Sequence, residues 1–487
     1  MFLNELLNDC EITEFIGKLD INIENLSQNS KINAKNTLFF ALNGTKTDGR
    51  LYVTEAKKNG AVAVVVEKPC KENITQIVVK NVRKAMAIIS ANFYDNPQNK
   101  LKIIGITGTN GKTSCTYILG QMLQSIGKNV GIIGTNGIYF NNKRYESDMT
   151  TPDSIELFAI FAKMTNAGVE YCVMEVSAHA IYFDKIFGID FAVKALTNVS
   201  FDHLDFFKTK KEYQKMKEKF FENGDNFVLN ADDVVSLKIS KNIQKTGKNG
   251  KKMIVFGENS DNLQRSNEKC SVGGTNFDLS YQSKIYHIKT QLVGLFNVQN
   301  MCLAIGTLLL LQFDIDQIID AVKSVKNLPG RFDTVQNKFN IPIIIDYAHT
   351  YESLNVFLRE VVSLSQNKNI IVFGAPGERD TTKRLPMGEL AGRFCDYVFV
   401  TSDNPASENP RRIAFEILQG AKKTKTICFF EENRKKCIKK AINLAKKQKK
   451  CNVLIVGKGI ETCQVVGDKH KKYSDYQSVF DAIKSFK

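Results

Sequence analysis

Gly108, Gly111, Lys112 and Thr113 stand together in GTNGKTS. Their types and spacing suit a site for nucleotide phosphates. Free backbone N–H groups at a glycine turn, aligned with the positive end of a following helix, attract an anion. A lysine there neutralises charge on the terminal phosphates, and a threonine hydroxyl ligates Mg²⁺. The strict pattern G-x-x-x-x-G-K-[ST] would set its first glycine at position 106, which is Ile106 here. The glycines at 108 and 111 therefore define a variant loop. Glu175, at the end of YCVMEV, is an acid that can hold Mg²⁺ beside such a loop. Ser177 and His179 follow it, and His203 lies in TNVSFDHLDFF. TTPDS, with Thr150 and Thr151, is hydroxyl-rich before a helix and by itself reads as an N-cap.

These residues need strands and helices to bring them together. KIIGIT is a short β-branched run that predicts a buried strand, and TSCTYILGQMLQSIG predicts the helix after the loop. IIGIT, NVGIIG, YCVMEV, AVKALTNV and NFVLN alternate with helical patterns between about 99 and 330. Such alternation predicts a parallel sheet with helices on both faces, whose ligands bind at the carboxyl ends of its strands. Before it, NTLFFALNG, AVAVVVEK and ITQIVVKN are short strands, and DNPQNK is a polar hinge. After LPGRF come IPIIIDYA, NIIVFGA, DYVFVTS and CNVLIVG, each followed by a helical pattern. The expected organisation is therefore an α/β protein of three domains, 1–98, 99–330 and 331–487, with a phosphate-loop parallel sheet in the centre and a Rossmann-like α/β domain at the end.

The composition is that of an ordinary globular protein: 487 residues, 43% hydrophobic and 24% charged. The first residues, MFLNELLNDCEITEF, carry acids and no long apolar run, which argues against a signal peptide. No eighteen-residue apolar stretch suggests a membrane span. The eleven scattered cysteines make no C-x-x-C pair, as expected of reduced thiols in a cytoplasm. The net charge of +16 raises nucleic acid as a partner. Much of it lies in lysine-rich helix faces such as KTKKEYQKMKEKF, however, and no nucleic-acid signature accompanies it. An acidic nucleotide substrate uses positive charge equally well.

GTNGKTS, TTP, MEVSAHA, TNVSFDHLD, LNADD, GLFNVQN, PGRF, DYAHT and GKGIE follow one another along the chain. In this order they resemble the Mur ligase family, the ATP-dependent amide-forming ligases of peptidoglycan synthesis. GERDTTKRLPMG, DNP and SKINAKNTLFFALNGTKTDG are similar to the MurE branch of that family. The resemblance implies ATP-driven addition of a diamino acid to the D-glutamyl residue of UDP-N-acetylmuramoyl-L-alanyl-D-glutamate through an acyl phosphate, by a cytoplasmic monomer. A sister ligase, such as a folylpolyglutamate-type enzyme, is the alternative within the superfamily.

The same resemblance assigns residues. Gly108, Thr109, Asn110, Gly111, Lys112, Thr113 and Ser114 would bind ATP, with Asn297, Asn300, Arg331 and Asp346 at its base and ribose end. Ser30, Thr150, Thr151, Ser177, His179 and Lys185 would bind the UDP substrate. Lys112, Glu175, His203 and Lys217 would be catalytic. Thr113, Glu175, His203 and a CO₂-derived carbamate on Lys217 would hold Mg²⁺. Arg384, Asp403, Asn404 and Glu461 would bind the amino acid, with Arg384 on its α-carboxylate and Asp403 and Glu461 on its ammonium. Some positions depart from the family pattern: Asn29 and Lys31 flank Ser30 in place of aspartate and arginine, Lys185 replaces arginine, and Ile460 replaces histidine. Ala406 stands where diaminopimelate-adding members carry the arginine of DNPR. Without that guanidinium a distal carboxylate has no bidentate partner. The expected amino acid is therefore L-lysine, with ornithine and meso-diaminopimelate as alternatives.

Overall fold

The computed structural model describes residues 1–44, 47–200, 206–245, 250–271, 273–326, 328–448 and 450–486. Its strands form three successive main sheets. In the first, Ile12–Ile16, Thr75–Val79, Ala61–Val66, Thr37–Phe40 and Asn25–Ser27 lie side by side in that order. All neighbours in it are parallel except Ile12–Ile16. AVAVVV is almost wholly buried, so a continuous β-branched run rather than an alternating one builds its centre.

The second sheet has a parallel heart. Asn226–Asn230, Val193–Leu196, Lys102–Thr107, Tyr171–Glu175 and Val130–Gly134 are consecutive neighbours. The chain runs from Lys102–Thr107 to strands on either side of it, which opens a crevice at their carboxyl ends. The sheet is wider than strand–helix alternation predicts. Antiparallel strands Gly137–Phe140 and Lys143–Tyr145 extend one edge; on the other side Lys252–Gly257 and Leu263–Ser271 continue the parallel pairing, and Gly274–Tyr281 and Lys284–Thr290 follow antiparallel. LQRSNEKCS and KIYHIKT are exposed on one face and carry few apolar residues, so they give no buried-strand signal. Gly274–Tyr281 and Lys284–Thr290 close as a hairpin at Gln282 and Ser283, both with positive φ.

The third sheet runs Asp333–Val335, Ile343–Asp346, Cys451–Val456, Lys368–Phe373, Tyr397–Val400 and Ile427–Phe430. It is parallel apart from Asp333–Val335. Helices Tyr351–Leu364, Arg384–Phe394 and Pro410–Ala421 contribute to one apolar cluster beside it. Arg434–Gln448 and Asp475–Lys484 contribute to another. None of the cysteines forms a disulfide among the described residues. Among them, too, no helix is long and apolar enough to cross a membrane.

Candidate active site

The phosphate loop leaves Lys102–Thr107 and enters the helix Lys112–Ser125. Its glycine spacing has a packing cause. Gly108 has φ 142°, and a Cβ there would collide with the Thr197 hydroxyl. Gly111 has φ 87°, and a Cβ there would stand 2.7 Å from Asn300 Oδ1. L-residues rarely adopt such φ values, so conformation and space both select glycine. Asn198 braces the loop: its Oδ1 accepts from Asn110 N–H at 3.0 Å and its carbonyl from Thr109 N–H at 2.8 Å. The Lys112 ammonium folds back over the loop, donating to the carbonyls of Gly108 at 2.9 Å and Thr109 at 2.8 Å. Thr113 and Ser114 are buried at the helix start.

Residues from the third sheet's side reach this loop. Arg331 Nη2 donates to Thr113 Oγ1 at 3.1 Å. Its guanidinium lies 4.5 Å from the centre of the Tyr347 ring. Asp346 accepts from the N–H groups of Phe332 and Ala348, each at 2.7 Å. Burial pushes the Asp346 carboxyl up, against the pull of Arg331. Asn297 and Asn300 lie buried in the helix Leu295–Leu310. Asn300 donates to Asn297 Oδ1 at 3.1 Å and its own Oδ1 faces the loop at Gly111.

Glu175 ends its strand fully buried beside the loop. Its carboxylate accepts from Thr135 N–H at 2.8 Å and from the Thr135 hydroxyl at 3.2 Å. Gly134 makes room for it, because a Cβ there would run into Oε1. Thr135 continues to Thr150 at 3.1 Å between hydroxyls. Thr151 donates to the Glu175 carbonyl at 2.9 Å and accepts from Ser177 N–H at 3.1 Å. Ser177 caps the helix Ala178–Tyr182. His179 packs against Phe206, with ring centres 4.6 Å apart. The Lys185 ammonium pairs with Asp153 at 2.8 Å, and Gln28 from the first unit donates to the other Asp153 oxygen at 2.8 Å. The Thr150–Lys185 group thus sits at the junction with the first unit. There Ser30 hydrogen-bonds Glu55.

Lys217 lies on the helix Lys210–Phe220 and is 1% exposed, unlike most lysines around it. Its amine donates to the Thr107 hydroxyl at 2.8 Å and the Gly108 carbonyl at 3.2 Å. One lysine of a run that reads as a solvated face is therefore at the loop. His203 lies outside the described residues.

The residues expected to bind the amino acid make ion pairs and hydrogen bonds within the chain. Arg384 is 1% exposed. Its Nη2 donates to both Glu408 oxygens at 3.0 and 2.9 Å, and its Nη1 to Glu416 at 3.0 Å. The chain's own acids occupy the guanidinium that was expected to meet the α-carboxylate. The expected ammonium acceptors are engaged as well. Lys458, fully buried, donates to Asp403 at 3.3 Å, Asn404 Oδ1 at 2.9 Å and Glu461 at 2.5 Å. Burying a charge is costly without a partner, so each of these charges is held by an opposite one. Ala406 has φ 49° and bridges to Val466 of a hairpin formed by Cys463–Val466 and Lys469–Lys472.

Sequence reasoning named neither Lys458 nor Glu408 and Glu416, although Lys458 lies inside the quoted GKGIE. It also passed over Thr197, Asn198, Asp153 and Gln28. TN before VSFDHLD was the available signal for the first two, and Asp153 lies inside the quoted TTPDS; nothing local marks Gln28.

The middle-domain model of the Mur ligases matches residues 106–308. The glutamate-ligase-domain model matches 330–459, and the model described as Mur ligase family, catalytic domain matches 22–94. The chain is 39% identical to the UDP-N-acetylmuramoyl-L-alanyl-D-glutamate–2,6-diaminopimelate ligase 1 of Clostridium acetobutylicum, over 99% of both chains. It is 38% identical to the ligase of that name from Caldanaerobacter subterraneus subsp. tengcongensis, over 96% of each. A solved structure of a UDP-N-acetylmuramoyl-L-alanyl-D-glutamate–2,6-diaminopimelate ligase is similar throughout, with TM-score 0.71, 25% identity and coverage of 100% of this chain and 99% of that one. The matched models follow one another in the order of the three sheets, and the chain belongs to the Mur ligase family of ATP-dependent ligases.

Proposed function

We propose that this ligase joins a diamino acid to the D-glutamyl residue of UDP-N-acetylmuramoyl-L-alanyl-D-glutamate in the cytoplasmic synthesis of peptidoglycan precursors, using ATP. The observation that carries the reading is convergence on one loop. Lys217 reaches Thr107 and Gly108 from one side, and Arg331 reaches Thr113 from the other. The names of the full-length relatives supply the acceptor. Residues 1–98 then hold the UDP end, 99–330 the ATP, and 331–487 the amino acid.

A carboxylate does not acylate an amine until its oxygen becomes a leaving group. Transfer of the γ-phosphoryl group to the D-glutamyl carboxylate makes that leaving group, and the amine then displaces phosphate. Both steps concentrate negative charge, so aimed N–H donors and cations supply most of the catalysis. Lys112 and the loop N–H groups hold the phosphates, and Arg331 closes over them beside Thr113. Closing the third unit onto the loop excludes water from the acyl phosphate. The Thr113 hydroxyl and the buried Glu175 carboxylate suit a hard cation. They would hold Mg²⁺, with Lys217 as a carbamate and His203 as further ligands, and a metal held by them would supply positive charge for the phosphates. Thr151, Ser177 and Lys185, next to Gln28, orient the UDP substrate across two units.

The relatives' names put 2,6-diaminopimelate first as the amino acid. One observation favours L-lysine as a second reading. Ala406 offers no cation to a distal carboxylate, and its neighbours Glu378 and Glu408 are acids, with Arg384 already neutralised. The deciding experiment is phosphate release with Mg·ATP and the UDP-muramoyl dipeptide, in competition between meso-diaminopimelate, L-lysine and ornithine. Release that none of these stimulates overturns the reading. Lys217→Ala is expected to abolish turnover, with partial return on adding formate; near-wild-type turnover without it removes Lys217 from the chemistry.

A further inference from the structure

The helix Lys210–Phe220 rests on the core through a narrow apolar face, Tyr213, Met216 and Phe220. KKEYQKMKEKF buries only Tyr213, Lys217 and Phe220. Yet Lys217 must stay within hydrogen-bond reach of the phosphate loop. Besides the bonds of Lys217 itself and the outer pairs Lys219–Asp184 and Glu218–Lys238, two polar tethers join the helix to the phosphate-loop unit, one near each end. Near its start, the Tyr213 hydroxyl is 3.1 Å from Thr109 Oγ1 in the loop. Thr109 is itself fixed, accepting from Ser200 N–H at 2.9 Å and donating to the Ser200 carbonyl at 3.2 Å. The Tyr213 ring also lies 5.4 Å from the Lys217 ammonium.

The second tether is Lys194, a buried lysine in the strand Val193–Leu196. Its ammonium donates to the Phe220 carbonyl at 2.9 Å and the Asn223 carbonyl at 2.7 Å. It also lies 4.9 Å from the centre of the Phe220 ring. A cation at this end satisfies orphan carbonyls and complements the helix dipole. Lys194 pairs in register with Gly105, on the strand that ends in the phosphate loop. A Cβ at Gly105 would press on Phe191 and Phe220 at 2.7–2.8 Å, so the helix end is packed closely on that strand. Both tethers thus tie the helix to the strand-and-loop unit that Lys217 serves.

We propose that Tyr213 and Lys194 are positioning residues that set where the Lys217 amine meets the phosphate loop. The inference rests on Lys217 acting as the metal-linked carbamate of the proposed function. Apolar contacts are non-directional, so loss of either tether lets the helix shift along that narrow face. A displacement of about 1 Å near reacting groups costs on the order of 10²-fold in rate.

The test compares Tyr213→Phe, Lys194→Met and Lys194→Arg with wild type. Four quantities are read: kcat, KM for ATP, melting temperature, and the carbamate resonance of protein equilibrated with ¹³C-bicarbonate. Tyr213→Phe and Lys194→Met are expected to lower kcat about tenfold or more, with KM for ATP within about twofold. Their carbamate signal weakens, and extra bicarbonate recovers part of the rate. Lys194→Arg, which keeps the charge, recovers most of both. Wild-type kcat and carbamate signal in Tyr213→Phe and Lys194→Met overturn the proposal. So does a rate loss that follows melting temperature while the carbamate signal is unchanged. If Lys194→Met does not fold, Tyr213→Phe decides. A wild-type protein without carbamate defeats the reading of Lys217 itself; a wild-type signal that the variants leave intact defeats only the tethers.

Discussion

Arg331 Nη2 donates to the Thr113 hydroxyl at 3.1 Å, across 218 residues of sequence. The bond joins the arginine of LPGRF to the first turn of the phosphate-loop helix, and the Tyr347 ring supports the guanidinium at 4.5 Å. Arg331→Met is expected to lower kcat/KM for ATP by about 10²-fold or more, as removal of one aimed donor does. Arg331→Lys recovers only part, because an ammonium lacks the planar fork that stacks on an aromatic ring. Steady-state kinetics with varied Mg·ATP checks this, and a Lys variant equal to wild type would contradict it.

Gly134→Ala tests the seat of Glu175. The added methyl runs into the Glu175 carboxylate, which Thr135 otherwise holds at 2.8 Å. Overpacking of this kind costs about 1–3 kcal/mol. The expected result is a lower kcat together with a higher Mg²⁺ concentration for half-maximal rate, in the direction of Glu175→Gln. A magnesium titration of both variants checks it.

Arg384→Met distinguishes a structural cation from a substrate-binding one. Removing the buried cation leaves Glu408 without its two-point partner and Glu416 with only the exposed Arg412 at 3.6 Å, at a cost of about 1–3 kcal/mol for these partly exposed carboxylates. Denaturant unfolding should show that loss, and the added changes Glu408→Gln and Glu416→Gln should recover part of it. Unchanged stability with a raised KM for the amino acid would return Arg384 to the substrate.

Lys194 predicts a sign for the alkaline side of the stability profile. Burial lowers its ammonium pKa to about 8, with Lys251 acting the same way and Asp190 and Asp225 opposing. The folded chain therefore releases this proton before the unfolded chain, whose lysines titrate near about 10.4. Between these values the unfolded state binds more protons, so this group's contribution rises with pH. The difference in unfolding free energy between wild type and Lys194→Met should grow in favour of wild type from about pH 8 to about pH 10. Chemical denaturation across that range measures it, and a flat difference would contradict the shift.

The phosphate loop was legible because its meaning is local. A β-branched run, two glycines, G-K-T and a helical pattern lie within two dozen residues, and the same contiguity made most of the parallel strands readable. The polar strands Leu263–Ser271 and Lys284–Thr290 escaped because they bury too little to show a pattern. The motif order along the chain carried the family. What each charged side chain meets was decided by tertiary structure. Lys217 stands in a run of lysines, and only the fold takes it from solvent to Thr107, 110 residues away. Arg384, Asp403 and Glu461 sit in the motifs that suggested substrate contacts; in the fold Arg384 pairs with Glu408 and Glu416, and Asp403 and Glu461 share Lys458. A buried charge takes whichever opposite charge the packed elements bring within reach, and that choice is made between segments rather than along them.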